Sequence, residues 1–342
     1  MYDKRSVIKT GKTVSKSLSS VERYRRLLEV AGPEDTLGII VNADPDALAS
    51  ALALKRLFWR RLKKIVICRI NVIKRSDNLT MVRSLQIDHH YINKIDIKKI
   101  SKWAIIDSQP HHDPRYSKFR FDIIIDHHPV AKRFDAEYVD IRPEYGSTST
   151  IMTQYLKSAG IKPSARLATA LFYGIKTDTD NFARPTTDYD IKAFRYLYQY
   201  ANLNMVKKIE SAVLTKKSLT FFRKAIDNLV FSKDRAVINM GEVKDPDNLV
   251  IIADFFVKMA EVTWSIVYGT YGRKLIIIIR NAGFRYNAGN MASRLFGELG
   301  NAGGHRDAAR AEIKINSLED AGYSEDNLGF FIHDKIDNYK AR

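Results

Sequence analysis

The residues best suited to chemistry stand at the end of an apolar run over residues 121–129, which closes with Asp126, His127, His128 and a proline. A short run of β-branched residues stopped by a proline is typical of a buried strand. Side chains at the carboxyl end of such a strand stand where open α/β sheets keep their sites. A carboxylate beside two imidazoles therefore predicts a divalent metal at this strand end.

Two further apolar runs also end in acidic residues. Residues 37–41 lead into Asp44 and Asp46, and residues 103–106 lead into Asp107. Only a proline separates Asp44 from Asp46, so both carboxylates can reach one small volume, where their repulsion requires a cation. The alternative for this pair is a helix cap made by Asp46. Because three strands deliver acids or imidazoles to one sheet edge, we favour metal binding.

Other candidate ligands depend on their surroundings. Asp178 lies in a polar turn over residues 176–182 and is either an additional metal ligand or a structural turn residue. Residues 88–90 repeat the Asp-His-His triplet, but no buried strand precedes them, so we expect a surface coincidence. His111 and His112 follow the second acidic run closely and are either near the metals or ordinary loop residues.

The ligand types restrict the metal. Carboxylates and imidazoles without a thiolate favour Mn²⁺, with Mg²⁺ or Co²⁺ as alternatives, over structural zinc. Several acids on one edge can hold two ions, and two ions about 3.5–4 Å apart clamp a phosphoryl group and activate a water. The reaction that this arrangement predicts is phosphoester hydrolysis.

A glycine-rich segment at residues 301–309, the glycine segment, predicts a phosphate-binding element. Paired glycines allow the backbone to approach a phosphate or a base, and a following His or Arg can pair with its charge. The alternative is a glycine turn before the final strand. We favour a substrate clamp, and its predicted residues are Arg280, Asn281, Arg285, Gly303, Gly304 and His305.

Composition limits the class of protein. The chain has 342 residues, 45% of them hydrophobic, which suits two globular domains. Its apolar runs fall short of the roughly 20 residues of a membrane span, and a single cysteine fits a reducing compartment. We therefore expect a cytoplasmic protein without a membrane partner. The net charge of +17 indicates a polyanionic partner such as a nucleotide, an oligonucleotide or polyphosphate.

The order of apolar and helical runs predicts an α/β fold. A mostly parallel sheet with helices on both faces is expected over residues 1–187 and would carry the metal site. Residues 188–228 are helical in pattern and rich in aromatics, and are expected to form a connector. Residues 229–342 contain strand-like stretches at 229–242 and 264–280, and are expected to form a smaller α/β domain across a cleft.

These motifs together resemble those of the DHH/DHHA1 phosphoesterase family. The resemblance is strongest to the nanoRNases and the phosphoadenosine phosphate (pAp) phosphatases, which are relatives of the RecJ exonucleases and the cyclic-di-AMP phosphodiesterases. It covers roughly residues 35–315. The motifs that carry it are Asp44-Pro45-Asp46, Asp107, Asp126-His127-His128, Asp178 in the segment that begins at Gly174, and Gly303-Gly304-His305 followed by Ala308-Ala309.

The resemblance implies a two-ion Mn²⁺ centre. Asp44 would hold one ion, and Asp46, His127 and Asp178 would hold the other. Asp107 would bridge the two ions.

The resemblance also implies how a substrate would be handled. His128 would face the scissile phosphate, and Asp126 would support the centre from behind the ligands. The glycine segment, with Arg280, would grip the far phosphate and the base. The substrates would be short oligonucleotides (nanoRNA) or small phosphorylated nucleotides such as pAp and pApA, and the protein would be a homodimer.

One position departs from the family pattern. Family members carry a metal-binding histidine four residues before the first aspartate, where this chain has Ile40. Isoleucine cannot bind a metal, which leaves the Asp44-side ion with fewer ligands unless Asn42 or a loop histidine contributes. The alternative hypothesis is therefore a nucleotide-binding or regulatory protein with weakened catalysis. An exopolyphosphatase and a single-strand exonuclease are further alternatives.

Overall fold

The computed structural model describes residues 18–130, 132, 134–212, 218–283, 286–324, 327–337 and 339. It divides the chain into two compact units, Met1–Val213 and Leu214–Arg342. Each unit has its own six-stranded sheet, which confirms the predicted α/β fold with a second, smaller domain. Among the described residues, no helix is both long and apolar enough to cross a membrane.

The first unit is built on a sheet whose described strand pairs are all parallel. Its strands are β1 (Thr36–Val41), β2 (Lys64–Arg69), β3 (His90–Tyr91), β4 (Lys102–Ile106), β5 (Ile123–Asp126) and β6 (Tyr138–Ile141). They lie in the order β3-β2-β1-β4-β5-β6. The strands β1, β4 and β5 are therefore neighbours, so their carboxyl ends meet on one stretch of the sheet edge.

The helices of the first unit follow the predicted alternation with strands. Their bounds are α1 (Ser20–Leu28), α2 (Pro45–Leu57), α3 (Ser76–Ser84), α4 (Thr148–Ser158), α5 (Ala165–Asp178), α6 (Asp188–Tyr198) and α7 (Leu203–Glu210). The alanine- and leucine-rich α2 packs against α4 and α5, and α7 packs against α3 and α5. Residues 188–212, within the predicted connector, thus lie in the first unit.

Two apolar layers cover the two faces of this sheet. Because side chains alternate along a strand, neighbouring residues of β1 enter different layers. Ile39 joins the large layer that contains α2, α4 and α5. Ile40 is fully buried in the opposite layer, where 3₁₀ turns at 92–94 and 114–118 contribute Ile92 and Tyr116. The large layer is on the face of the sheet that α2, α4 and α5 cover.

The second unit contains a mixed sheet. Its strands are β7 (Leu229–Ser232), β8 (Arg235–Glu242), β9 (Trp264–Tyr271), β10 (Lys274–Asn281), β11 (Gly300–Gly304) and β12 (Ala308–Lys314). They lie in the order β11-β12-β10-β9-β8-β7, and the described pairs are antiparallel except β8 with β9. Each predicted long strand is in fact a pair of antiparallel strands, because tight turns at Lys233 and Gly272 have positive φ and reverse the chain.

Helices cover much of the second sheet. Their bounds are α8 (Ser218–Asp227), α9 (Asp247–Phe256), α10 (Ala288–Phe296), α11 (Ile315–Asp320) and α12 (Leu328–Asp337). One apolar layer joins α8 and α9 to one face of β8, β9 and β10. A second layer on the other face contains side chains of α10, α11 and α12.

Candidate functional site

The sheet of the first unit brings three acidic strand ends together. Asp44 follows β1, Asp107 follows β4, and Asp126 is the last residue of β5. Asp107 has φ 60°, a left-handed conformation that aspartate tolerates better than most residues. This turn ends β4 and leaves the Asp107 side chain buried at the sheet edge.

Four side chains form the centre of this edge, and we call them the acid–histidine cluster. One ligand atom from each lies within 4.8 Å of the others. A second group, formed by Asp107, His127 and His128, meets the same limit. The members of the cluster are Asp46, Asp107, His127 and Asp178.

Asp178 reaches the cluster from a helix. The sequence predicts a polar turn from residue 176, but α5 continues through Asp178, so that prediction is wrong. The Thr177 hydroxyl donates to the carbonyls of Tyr173 and Gly174, one turn earlier, and so remains compatible with helix. Asp178 is therefore presented by the last turn of a packed helix, a rigid support for a ligand.

Asp46 is fully buried and is held by the N-terminus of α4. The backbone N–H groups of Thr148 and Ser149 donate to its two carboxylate oxygens at 2.7 and 2.8 Å. These are among the free N–H groups of a helix N-terminus, where a negative charge is stabilised. The Thr148 hydroxyl also donates to Asp107 at 2.8 Å. One helix end thus orients two carboxylates of the cluster.

Gly174 makes room for this arrangement. A Cβ at this position would lie 2.5 Å from Ser149 Oγ and 3.0 Å from Asp46 Oδ1. Any larger residue would push α5 away from the start of α4 or displace the Asp46 carboxylate. The close packing of α2, α4 and α5 around Asp46 therefore requires glycine here.

His127 has the hydrogen-bonding pattern of a metal ligand. Its Nδ1 lies 3.1 Å from the Tyr145 carbonyl, which can only accept, so Nδ1 carries the proton. Its Nε2 lies 3.1 Å from Asp178 and 3.5 Å from Asp107. This buried atom makes no hydrogen bond of acceptable geometry within the described part of the chain. Metal-bound histidines commonly donate their other N–H to a carbonyl in this way, so the residues fit a divalent cation.

The protonation of the cluster shows why a cation would stabilise it. Burial raises the pKa of Asp46 to about 6, with the charge of Asp178 adding to the effect. Burial and the neighbouring carboxylates of Asp46, Asp44 and Asp178 raise the pKa of Asp107 well above its ordinary value. Burial alone would lower the pKa of His127, but Asp178 and Asp46 outweigh it and raise that pKa to about 9. The cluster is short of positive charge.

Asp126 is not a member of the cluster, and it positions His128. Its carboxylate lies 2.8 Å from His128 Nδ1 and accepts a hydrogen bond from Gln109 Nε2 at 2.6 Å. The hydrogen bond to Asp126 raises the pKa of His128. Gln109 is fully buried and also donates to the His128 and Pro129 carbonyls at 3.1 and 3.3 Å. His128 is thereby fixed beside the cluster while its side chain stays 45% exposed.

Asp44 lies beside the four-residue cluster without being one of its members. Its Oδ1 accepts from the Ala47 N–H at 2.9 Å and caps α2. The sequence alone allows a helix cap as the alternative role of Asp46, but the residue that caps α2 is Asp44. Asn71, after β2, holds the backbone just before Asp44 by bonding both the N–H and the carbonyl of Ala43.

Ile40, at the position where the family pattern has a histidine, is not part of the acid–histidine cluster. Ile40 pairs with Cys68 and Ile105 on the neighbouring strands, and its side chain belongs to the apolar layer opposite α2. Asn42 follows β1 and is exposed. Ile40 is therefore a core residue in this chain.

The remaining histidines separate into two groups. The rings of His111 and His112 extend from the site, with His112 5.5 Å from the His128 ring and His111 4.5 Å from His112. His90 lies on the short edge strand β3 with a side chain 53% exposed, next to an exposed Asp88. The second Asp-His-His triplet is thus on the surface, far in the fold from β5.

The predicted substrate residues of the second unit lie at one end of its sheet. Arg280 pairs with Ala308 across β10 and β12, and the Asn281 N–H donates to the Asp307 carbonyl at 2.9 Å. Gly303 and Gly304 are the last residues of β11, and His305 begins the turn to β12.

Several polar groups at that end already have partners. Arg280 bonds Asp254 at 2.6 Å. The His305 and Arg306 carbonyls accept from the first N–H groups of α10. The side-chain nitrogen of Asn281 is buried and has no hydrogen-bond partner among the described residues. Arg285 lies outside the described residues.

The residues that sequence reasoning missed hold the candidate ligands and Asp126 in place by hydrogen bonds or close packing. They include Thr148, Ser149, Gln109 and Gly174. The Ser-Thr-Ser-Thr run at 147–150 marks a helix N-terminus after a strand, and it could have indicated an anion-holding helix end. Gln109 and Gly174 gave no comparable indication, because their roles depend on contacts between distant elements.

A known protein family matches the part of the chain that forms most of the first sheet. Residues 38–175 match the DHH family, N-terminal domain. The match includes most of β1, all of β4 and β5, and most of α5.

Individual relatives extend the comparison. The chain is 36% identical over 276 residues to an uncharacterised protein of Methanocaldococcus jannaschii, covering 80% of this chain and 57% of that protein. It is 26% identical over 304 residues to the A-adding tRNA nucleotidyltransferase of Geobacter sulfurreducens, covering 83% of this chain and 33% of the enzyme. The chain thus spans little more than half of one relative and a third of the other.

A solved structure shares the fold over nearly the whole chain. It is an exopolyphosphatase-related protein from Bacteroides fragilis, with a TM-score of 0.69 and 16% sequence identity. The likeness covers 95% of this chain and 98% of that protein. At this identity the likeness establishes the fold.

Proposed function

We propose that this protein is a divalent-metal-dependent phosphoesterase that hydrolyses short oligonucleotides or small phosphorylated nucleotides. The observation that carries the proposal is the convergence of Asp46, Asp107, His127 and Asp178 within 4.8 Å. The match of residues 38–175 to the DHH family supports the same class of reaction. The net charge of +17 supports a polyanionic substrate.

The residues of the cluster would hold the ion. Three carboxylates and one imidazole suit Mn²⁺, which we propose as the metal, with Mg²⁺ or Co²⁺ as substitutes. The ion would supply positive charge that acidifies a water and neutralises phosphoryl oxygens. Asp44 is the proposed ligand for a second ion, beside Asp107.

His128 is the proposed catalytic residue beyond the ligands. Asp126 fixes its ring through Nδ1, which leaves Nε2 to donate a proton or a hydrogen bond to the scissile phosphate. Asp126 and Gln109 position the ring and so reduce the cost of ordering it. In the second unit, Arg280, Asn281, Gly303, Gly304 and His305 are the proposed contacts to the substrate's far phosphate and base.

The nature of the substrate rests on chemistry and on one relative. An oligonucleotide offers both a base and a phosphate to the glycine segment, whereas polyphosphate offers phosphate alone. The name of the Geobacter relative, an A-adding tRNA nucleotidyltransferase, supports an RNA-like substrate. Exopolyphosphatase and single-strand exonuclease activity are the variants that a substrate panel would separate.

The test is hydrolysis by the purified full chain. With Mn²⁺, we expect product from at least one of pAp, a dinucleotide, pApA or cyclic di-AMP, and none in EDTA. Asp107→Asn should abolish product formation, whereas Asp88→Asn, at an exposed acid outside the cluster, should leave it unchanged. No product from any substrate at high enzyme concentration would refute the proposal, as would equal product from Asp107→Asn.

A second candidate function follows from the position of Asp44. Because this carboxylate caps α2 and is not one of the four cluster residues, a second ion would have the weaker ligand set. A nucleotide-binding or regulatory protein with weak catalysis would then show one Mn²⁺ per chain by calorimetry and a bound, uncleaved nucleotide. Two ions per chain and turnover would exclude it.

A further inference from the structure

One face of the second sheet is only partly covered. The helices α8 and α9 pack against β8, β9 and β10 on that face. On β12, Ala309, Ala311 and Ile313 point into the layer on the opposite face. Because side chains alternate along a strand, Arg310 and Lys314 belong to the face that α9 leaves open. The side chain of Arg310 is 42% exposed there.

A depression of about 520 Å³ lies on this open face. Its walls are formed by β10, β12 and the turn between β9 and β10, and Ile276 provides an apolar floor. We call its charged and aromatic residues the basic sheet surface. They are Tyr271, Arg273, Lys274, Arg310 and Lys314.

The residues that line this depression carry more positive than negative charge. Glu312 is the acid that lines it, and Glu312 is shared by Lys274 at 3.1 Å and Arg310 at 2.7 Å. Arg273 donates to the neutral Asn316 at 2.7 Å. Lys314 has no ion pair within the described ranges of the chain. Among the residues that line the depression, four cations thus accompany one carboxylate, which favours a ligand with several negative charges.

The surface continues to the glycine segment. Lys274 lies opposite Lys314, and Arg310 lies opposite Gly303 on β11. From Arg310 to Lys314 the strand extends about 13 Å. Cations at both ends of this path can contact successive phosphates of one extended chain.

An aromatic side chain distinguishes nucleic acid from other polyanions. Tyr271 is 47% exposed at the rim, next to Lys274 in the pairing of β9 with β10. Proteins that bind single strands combine a positive groove with exposed rings on which bases stack. Inorganic polyphosphate has no group that would use such a ring.

We propose that the basic sheet surface binds the backbone of a single-stranded nucleic acid, which extends along β12 from the glycine segment to the β9–β10 turn. This inference goes beyond the proposed hydrolysis of short substrates, and it is tested without any hydrolysis. It assigns to the second unit a contact with strands longer than the short substrates proposed above.

The experiment is a binding titration with the full chain in EDTA. Fluorescence anisotropy would follow a labelled oligouridine of about 15 nucleotides, the upper range of a single-strand site. Arg310→Gln with Lys314→Gln should raise Kd about tenfold and lower the slope of log K against log salt concentration by about 1.4. Unchanged circular dichroism and thermal midpoint would show that the variant is folded.

A matched control distinguishes the loss of this surface from a general loss of positive charge. The double variant Lys233→Gln with Lys258→Gln also removes two positive charges, from exposed lysines elsewhere in the same unit. Its Kd should change less than about twofold. Equal weakening in both double variants, or none in either, would overturn the proposal.

A third variant tests the ligand class. Tyr271→Ala should weaken oligouridine binding by about fivefold or more and leave competition by inorganic polyphosphate unchanged. If the substitution leaves oligouridine binding unchanged, or weakens both ligands alike, the assignment to nucleic acid is wrong. Because these titrations are made in EDTA, their outcomes do not depend on whether the protein hydrolyses a substrate.

Discussion

Nε2 of His127 lies 3.1 Å from Oδ2 of Asp178, which joins the end of β5 to the last turn of α5. The carbonyl of Tyr145 holds the opposite ring nitrogen of His127. A buried imidazole nitrogen between carboxylates, with its other nitrogen already bonded, is arranged for a cation. This relationship makes the acid–histidine cluster a candidate metal centre and has measurable consequences.

Metal binding should release protons. In the metal-free protein His127 is protonated at neutral pH because its pKa is raised to about 9, and Asp46 takes up a proton below about 6. A metal binds only the deprotonated forms, so its affinity must increase with pH. Between about pH 6 and 8 we expect the Mn²⁺ Kd to fall at least about tenfold per pH unit. Calorimetry in buffers of different ionisation enthalpy would count at least about one proton released. A Kd independent of pH would contradict the prediction.

Thr148→Val should weaken metal binding with little change in shape. The substitution removes the hydroxyl that donates to Asp107, and loss of such support typically costs about 10–100-fold in metal affinity. Thr153→Val is the matched control, since Thr153 is also buried in α4 but donates only to the Ser149 carbonyl. Mn²⁺ titrations should show the loss for Thr148→Val alone. The same Kd for both variants would mean that the hydroxyl does not support Asp107.

Gln109→Leu should lower turnover while metal affinity is retained. Leucine cannot donate to Asp126, so the His128 ring loses the support that fixes its orientation. We expect kcat to fall about 10–100-fold, with the Mn²⁺ Kd unchanged within about twofold. Gln199→Leu, at an exposed position after α6, serves as the control. A parallel loss of metal affinity would instead place Gln109 in support of the ligands.

Gly174→Ala should damage both stability and metal binding. The new Cβ would approach Ser149 Oγ and Asp46 Oδ1, and overpacking of this kind costs about 1–3 kcal/mol. Gly329→Ala, in α12, is the matched control, because its Cβ would meet only Tyr268 at 3.5 Å. That variant should be neutral or more stable by up to about 1 kcal/mol. Urea unfolding and Mn²⁺ titration of both variants would decide; equal stability would argue against close packing at Gly174.

Much of the first unit could be predicted from sequence because strand ends carry the chemistry. Apolar runs located β1, β4 and β5, and parallel pairing brings their carboxyl ends to one edge. The identity of neighbouring strands then placed Asp107 and His127 near each other without knowledge of any contact. Local pattern and sheet topology agree at this edge.

Other features depended on contacts that sequence does not show. Residues 176–178 look like a turn by composition, yet packing of α5 on α2 extends the helix to Asp178. Asp44 and Asp46 are equivalent as helix caps by residue type, and only the geometry of α2 assigns the cap to Asp44. Likewise the positive φ of Lys233 and Gly272 divides runs that read as single strands.

The most direct test of the metal centre is anomalous diffraction from crystals of the full chain grown with Mn²⁺. The account predicts a manganese peak within bonding distance of Asp46, Asp107, His127 and Asp178, and loss of that peak in Asp107→Asn. A peak elsewhere, or none between these four side chains at saturating Mn²⁺, would contradict it.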